Sequence, residues 1–264
     1  MKRSTRRRLT HLALYAALLV IAVVVVLLVD WDSARANFFD FGTMAELLPD
    51  MIVIGVRNTL IYTVIAFVGG LALALLLALM KLSPARGIRW LATSYVEFFR
   101  GLPSLIVIIA MALGVPIAFG WTPPGGTMGA GLLALILVSA AYMAETLRAG
   151  IQAVPRGQNE AARTLGMNAA STMRHVILPQ AFRIVIPPLT NEFVLLIKDT
   201  ALLFVVGLAA DQRELTTLAR DFMSSGPTAG TANSLMLAAI LYLVITLPLT
   251  RLVAWLEAKQ AKAR

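Results

Sequence analysis

Cysteine is absent from the 264 residues, which excludes a disulfide framework, a thiolate metal site and a cysteine nucleophile. Histidine occurs only as His11 and His175, so no histidine cluster is available to a metal. Charge is scarce as well: 14% of the residues are Asp, Glu, Lys or Arg, where soluble domains carry about one quarter. Neither a G-x-x-x-x-G-K-[ST] phosphate loop nor an H-E-x-x-H or G-x-S-x-G signature occurs, so the residues for nucleotide hydrolysis or for those hydrolytic chemistries are missing. Apolar side chains fill the space, at 59% of the chain with a mean hydropathy of +0.80. That composition belongs to a bilayer.

The apolar residues gather into six runs of spanning length: Leu12–Val29, Leu60–Met80, Leu102–Phe119, Met128–Met143, Phe182–Gly207 and Ser234–Val253. With the amino terminus in the cytoplasm, six spans return the carboxyl terminus there too. Of the 23 Lys and Arg residues, this leaves only Arg35, Arg57, Lys198, Arg213 and Arg220 outside, as the positive-inside rule requires. The net charge of +9 is therefore a topology signal, with basic loops facing anionic membrane lipid, and implies no nucleic acid. The first run has a second reading. Arg6-Arg7-Arg8 before it and Ala34-Arg35-Ala36 after it fit a cleaved secretory leader, although the run exceeds the roughly 7–15 apolar residues of a leader core. Asp30-Trp31-Asp32 instead fits the outer anchor of a retained helix. The expected organisation is a basic terminus, first helix and outer loop over 1–50, a transmembrane domain over 51–255 with a cytoplasmic insertion at 150–179, and a cytoplasmic tail over 256–264.

That insertion holds the most informative segment, QNEAARTLGMNAASTMRHVILP over residues 158–179. Glu160 to Leu165 reads as a short helix stopped by Gly166, with Asn168 capping a second one through His175. Pro179 then sets the angle into the next span. Small side chains would let another surface approach the backbone, although a solvated connector fits the same pattern. Elsewhere, Lys81–Arg89 reads as a short inner turn and Gly120–Gly126 as a short outer one. Gly125-x-x-x-Gly129, a packing motif in other settings, reads here as turn chemistry.

The insertion resembles the EAA loop of permease subunits in ATP-binding-cassette importers. Glu160-Ala161-Ala162, Gly166 and Leu178-Pro179 stand in its register, with Val176 where isoleucine is usual. The resemblance implies that Glu160, Ala161, Ala162, Arg163, Leu165, Gly166, Leu178 and Pro179 couple the chain to an ATPase. It extends from about Gly55 to Arg251 and looks like the polar amino acid branch. Phe98-Phe99-Arg100-Gly101 with Pro103, Ala144-Glu145, Arg148-Ala149-Gly150, Asn191-Glu192-Phe193 and Lys198-Asp199-Thr200 carry it. Leu102 departs from the pattern, and the outer stretch Ala209–Gly230 is longer than usual. The implied fold is an all-α integral membrane protein, a five-helix type I importer core plus one amino-terminal helix. The implied partners are a second permease chain (identical or homologous), ATPase subunits carrying ATP and Mg, and an extracytoplasmic substrate-binding protein. No cofactor is expected on this chain itself. A self-sufficient secondary transporter or channel, or a membrane scaffold, are the competing readings.

Two polar groups fall within the spans. Glu145 lies three residues before Arg148, so the two share a helix face and can pair. The fifth span carries Pro187-Pro188, Asn191, Glu192, Lys198 and Asp199. Pro-Pro is expected to break the helix, with Glu192 and Asp199 on one face beyond it and Asn191 and Lys198 on the adjacent face. A mid-membrane carboxylate facing lipid costs roughly 3 kcal/mol or more. These four residues are thus candidates for a substrate pathway, or for an interhelical polar network.

Overall fold

The computed structural model describes residues 3–262, and among them it contains helices and no strand. Lys2 and Arg264, two of the basic residues assigned to the cytoplasmic side, lie outside the described residues. Helix α1 (Arg3–Leu28) is an apolar rod whose segment His11–Leu28 buries nothing against the rest of the chain. Helices α2 (Trp31–Phe38) and α3 (Phe41–Asp50) follow, capped by Asp30 and Asp40. Each aspartate accepts from backbone N–H groups that the first helical turn leaves without partners. The alternative cleavage site Ala34-Arg35-Ala36 lies inside α2, where the Ala36 carbonyl accepts from Asn233 Nδ2 at 2.8 Å.

A π-helical stretch, Met51–Val56, joins α3 to α4 (Arg57–Lys81) without a break. The second span therefore begins well before Leu60. The third differs more. The stretch after Lys81 is a turn only to Ala85; Arg86–Gly101 forms α5, an amphipathic helix burying Ala92 and Val96. The chain then bends by 104° at Leu102-Pro103 into α6 (Ser104–Ile109), a π-turn at Ala110–Gly114 and α7 (Val115–Phe119). Proline cannot continue the hydrogen-bond ladder and disfavours helical backbone in the residue before it. Leu102 accordingly takes extended angles, φ −102° and ψ 140°.

Helix α8 (Gly126–Gln152) is the centre of the bundle and packs most extensively along α4. Small residues permit this. Ala66, Ala74, Ala140 and Ala144 are buried at the contact, and a Cβ on Gly70 would overlap Ser139 Oγ and Met143 Cε. At its start Gly125 has φ +87°, and a Cβ on Gly129 would overlap the Pro124 carbonyl. The Gly125/Gly129 pair is turn chemistry.

Helices α9 (Arg156–Thr164) and α10 (Ala169–Thr172) form the insertion. A π-turn at Met173–Ile177 leads directly into α11 (Leu178–Asp199), so no separate helix ends at His175. Against expectation, α11 runs through Pro187 and Pro188 unbroken, while the fifth apolar run ends in a 3₁₀ segment, Thr200–Val206. The outer stretch contains a helix the hydropathy pattern does not show, α12 (Leu215–Ser225), before α13 (Asn233–Lys262).

The far end of the bundle, opposite α9, is tied by side chains. Asn58 Nδ2 donates to the carbonyls of Asp211 and Arg213, and Tyr62 Oη donates to that of Gln212. Asn233 Oδ1 accepts from the backbone N–H of Asp40, fixing α13 to the α2–α3 elbow.

Candidate functional site

Helix α9 packs against the π-turn Met173–Ile177, next to a small apolar cluster of Val154, Ile177 and Ala181. It starts after Pro155, whose ψ of 133° is extended, and is four residues longer at its start than Glu160 would give. Its end is a Schellman motif. The N–H of Met167 donates to the Ala162 carbonyl at 3.1 Å and that of Gly166 to the Arg163 carbonyl at 3.0 Å. Gly166 has φ +85°, a conformation glycine adopts without the cost that a Cβ brings. Asn168 Oδ1 then accepts from Ser171 N at 2.8 Å, capping the next helix as its sequence indicates.

The eight loop candidates divide by exposure. Ala162 is buried, whereas Glu160, Ala161, Arg163, Gly166 and Pro179 are exposed and Leu178 is half-buried. Leu165, at 84% exposed, is an isolated leucine on the tip of a polar helix. The arrangement presents a short rigid helix to whatever lies below the bundle. Gln180 ties it back to α11 by donating to Gln158 Oε1 and to the Val176 carbonyl.

At the same end, Glu145 pairs with Arg148 as its spacing indicates, and Lys81 joins from α4 with Nζ 2.8 Å from Glu145 Oε2. Lys81 carries no local signal for this role, because the contact crosses 64 residues. Arg148 also donates to Gln152 Oε1 at 2.6 Å. The network fixes the ends of α4 and α8 just above the loop.

Midway along the bundle, Glu192 and Asp199 line one narrow cleft with Ser139 and Tyr142 of α8. Asn191 and Lys198 lie on the neighbouring, exposed side of α11. The four candidates thus separate into a cleft-facing carboxylate pair and an outward amide and ammonium. The cleft holds about 30 Å³, room for a water or two and too little for an amino acid. Tyr142 and Arg100 belong to the same neighbourhood, the guanidinium lying 5.6 Å from the centre of the Tyr142 ring.

Glu214, at the far end, was not expected to matter. It is fully buried and caps α12, accepting from the N–H groups of Thr216 and Thr217, from Thr217 Oγ1 and from Tyr242 Oη. Burial pushes its carboxyl above the usual carboxylate range, and those donors oppose the shift.

Residues 70–262 match the family described as the binding-protein-dependent transport system inner membrane component. The chain is 38% identical over 209 residues to a probable glutamine ABC transporter permease of Bacillus subtilis (strain 168), covering 79% of this chain and 93% of the other. It is 35% identical over 229 residues to a glutamate/aspartate import permease of Escherichia coli O6:H1 (strain CFT073), covering 84% and 99%. A crystal structure of an amino acid ABC transporter with histidines superposes with a TM-score of 0.74 at 39% identity, covering 83% of this chain and 98% of that one. With the exposed helix α9 below a bundle of small-residue contacts, these likenesses place the chain in one family: it is an inner membrane component of a binding-protein-dependent transport system.

Proposed function

We propose that this chain is the permease subunit of an ATP-driven importer of polar amino acids. The carrying observation is α9, a rigid, solvent-facing helix at one end of the bundle with Glu160, Arg163 and Leu165 uncovered. A connector needs neither a Schellman end nor an exposed leucine; a surface that transmits a push needs rigidity and a contact residue. ATPase subunits, which hold the ATP and Mg, dock on that helix. A second permease chain, identical or homologous, completes the pathway, and an extracytoplasmic binding protein delivers substrate at the far end. Both termini face the cytoplasm, a placement that the distribution of basic residues supports. Nucleotide-driven closure of the ATPases then rocks the bundles between two states.

Glutamine and glutamate/aspartate permeases among the relatives support amino acids as the cargo. Asn191, Glu192, Lys198 and Asp199 line its route, because charged groups at that depth need water, a ligand or a partner chain. Reconstitution tests the whole reading. An ATPase should co-purify in stoichiometric amount, and amino acid uptake should vanish when ATP binding in it is abolished. Uptake that persists without ATP would support a secondary transporter instead.

A further inference from the structure

Helix α13 is thinly covered for a helix of spanning length: 17% of its apolar stretch is buried within the chain, against 61% for α8. Toward the α9 end of the bundle, its covered face carries Val253, which is buried, and Gln260, which donates to the Arg183 carbonyl of α11. The opposite face repeats every four residues. Leu243, Leu247, Arg251, Trp255 and Lys259 are all exposed, and that spacing sets them in one stripe along a helix. The stripe is apolar first and cationic after. Lys259 Nζ lies 5.0 Å from the centre of the Trp255 ring, so the ammonium folds back along the stripe toward Arg251. Among the described residues no carboxylate pairs with Arg251 or Lys259. Glu257, the acid nearest in sequence, is two residues from Trp255 and so about 200° round the helix. Depth fits as well. From Asn233 at the start of α13 to Arg251 is about 27 Å along a helix, close to the ~30 Å of a hydrocarbon core. With Asn233 at one boundary, Arg251 and Trp255 stand at the level of the headgroups at the other.

We infer that this stripe seats an anionic phospholipid, its phosphate between Arg251 and Lys259, its glycerol beside Trp255 and its acyl chains along Leu247 and Leu243. Charge complementarity selects the occupant. Two cations without an acidic partner attract a net negative headgroup, whereas a zwitterionic lipid brings a cation of its own against them. The indole supplies an apolar body and one N–H donor at the boundary where both are satisfied. It also holds the ammonium by a cation–π contact, which keeps Lys259 on the stripe. A second copy of this chain fits less well, because a two-fold contact would set the same patch, and hence like charges, against itself. The ATPase docks on α9 below the bundle, whereas the stripe runs up its side. The seat depends on the membrane placement of α13 and on no property of the cargo.

The test titrates the purified permease–ATPase complex in detergent with dioleoyl phosphatidylglycerol and, separately, with dioleoyl phosphatidylcholine, counting bound lipids by native mass spectrometry. Phosphatidylglycerol should bind about fivefold or more tightly than phosphatidylcholine. Arg251→Gln combined with Lys259→Gln should reduce that preference to about twofold or less, and each single substitution should fall between. Arg251→Lys combined with Lys259→Arg keeps both charges and should retain the preference. Arg86→Gln combined with Arg89→Gln removes as much exposed charge from the same end of the bundle and should leave the preference nearly unchanged. If the α13 double variant aggregates, the single substitutions decide the case. Equal affinity of the wild type for the two lipids would overturn the inference. So would an equal loss from the α5 and α13 double variants, which would reduce the effect to net charge without a site. Loss of the ATPase from a monodisperse α13 variant, with its lipid preference intact, would assign the stripe to that subunit and overturn the inference too.

Discussion

The side-chain amide of Gln260 donates to the carbonyl of Arg183, the acceptor that Pro187 leaves without its helical donor. A residue four positions on normally supplies that N–H, and proline has none. Helix α11 can therefore run through Pro187-Pro188 because the end of α13 repairs part of the ladder. Gln260→Ala should orphan this carbonyl and cost about 1 kcal/mol. Thermal unfolding of the purified complex should show a small drop in midpoint, with faster amide exchange in α11 near Pro187. An unchanged midpoint and unchanged exchange would show that solvent satisfies the carbonyl equally well.

Gly166 makes a sharper prediction. No atom lies within 4 Å of a Cβ built there, so a substitution meets backbone strain and no clash within this chain. For an ordinary L-residue the left-handed conformation costs roughly 1–2 kcal/mol. Gly166→Leu should cripple transport while leaving membrane insertion intact. Gly166→Asn, which tolerates this backbone better, should keep most of the activity. If both variants are equally defective, the requirement is for a small side chain against a partner and not for the Schellman turn.

Four of the six apolar runs, the first, second, fourth and sixth, lie on helices long and apolar enough to cross a membrane, and they were legible because each is long and lies between charged or Gly/Pro segments. Helix α5 was not, since Arg86, Arg89, Glu97 and Arg100 interrupt it and its buried face rests on Ala92 and Val96, which hydropathy alone does not distinguish. The break expected at Pro187-Pro188 followed from a sound local rule that a partner 77 residues away overrides. Glu145–Arg148 was visible at helical spacing, while Lys81, the third member, was hidden by its distance in the chain. The Glu192/Asp199 face followed from helical periodicity. Its opposition to Tyr142 and Arg100 needed the fold.

Glu214 links pH to the stability of the far end. Its folded pKa is raised by burial, so the folded state binds its proton more tightly than the unfolded one does. Its contribution to stability is thus greatest below the ordinary glutamate value of about 4.3 and declines as pH rises through the raised folded value. Glu214→Gln should flatten that decline in melting scans across the acid range. It should also lower stability by about 1–3 kcal/mol at its worst, because the amide NH₂ cannot accept from both backbone donors of α12. A variant as stable as wild type would show that the cap is dispensable.

Membrane orientation can be read with single cysteines, since the chain has none of its own. Trp121→Cys, in the turn before α8 and half-exposed, should react with a membrane-impermeant maleimide in intact cells. Ala161→Cys should react only after permeabilisation. The reverse pattern would invert the topology and remove the coupling role of α9.

The most direct measurement is a disulfide or bifunctional cross-link between Ala161→Cys in the assembled complex and cysteines placed on the surface of its ATPase subunit. Docking of the ATPase on α9 predicts one cross-linked band at the mass of this chain plus the ATPase, with a yield that changes when ATP is bound, and none from Trp121→Cys. A transport-competent complex in which Ala161→Cys never reaches the ATPase, in any nucleotide state, would contradict it.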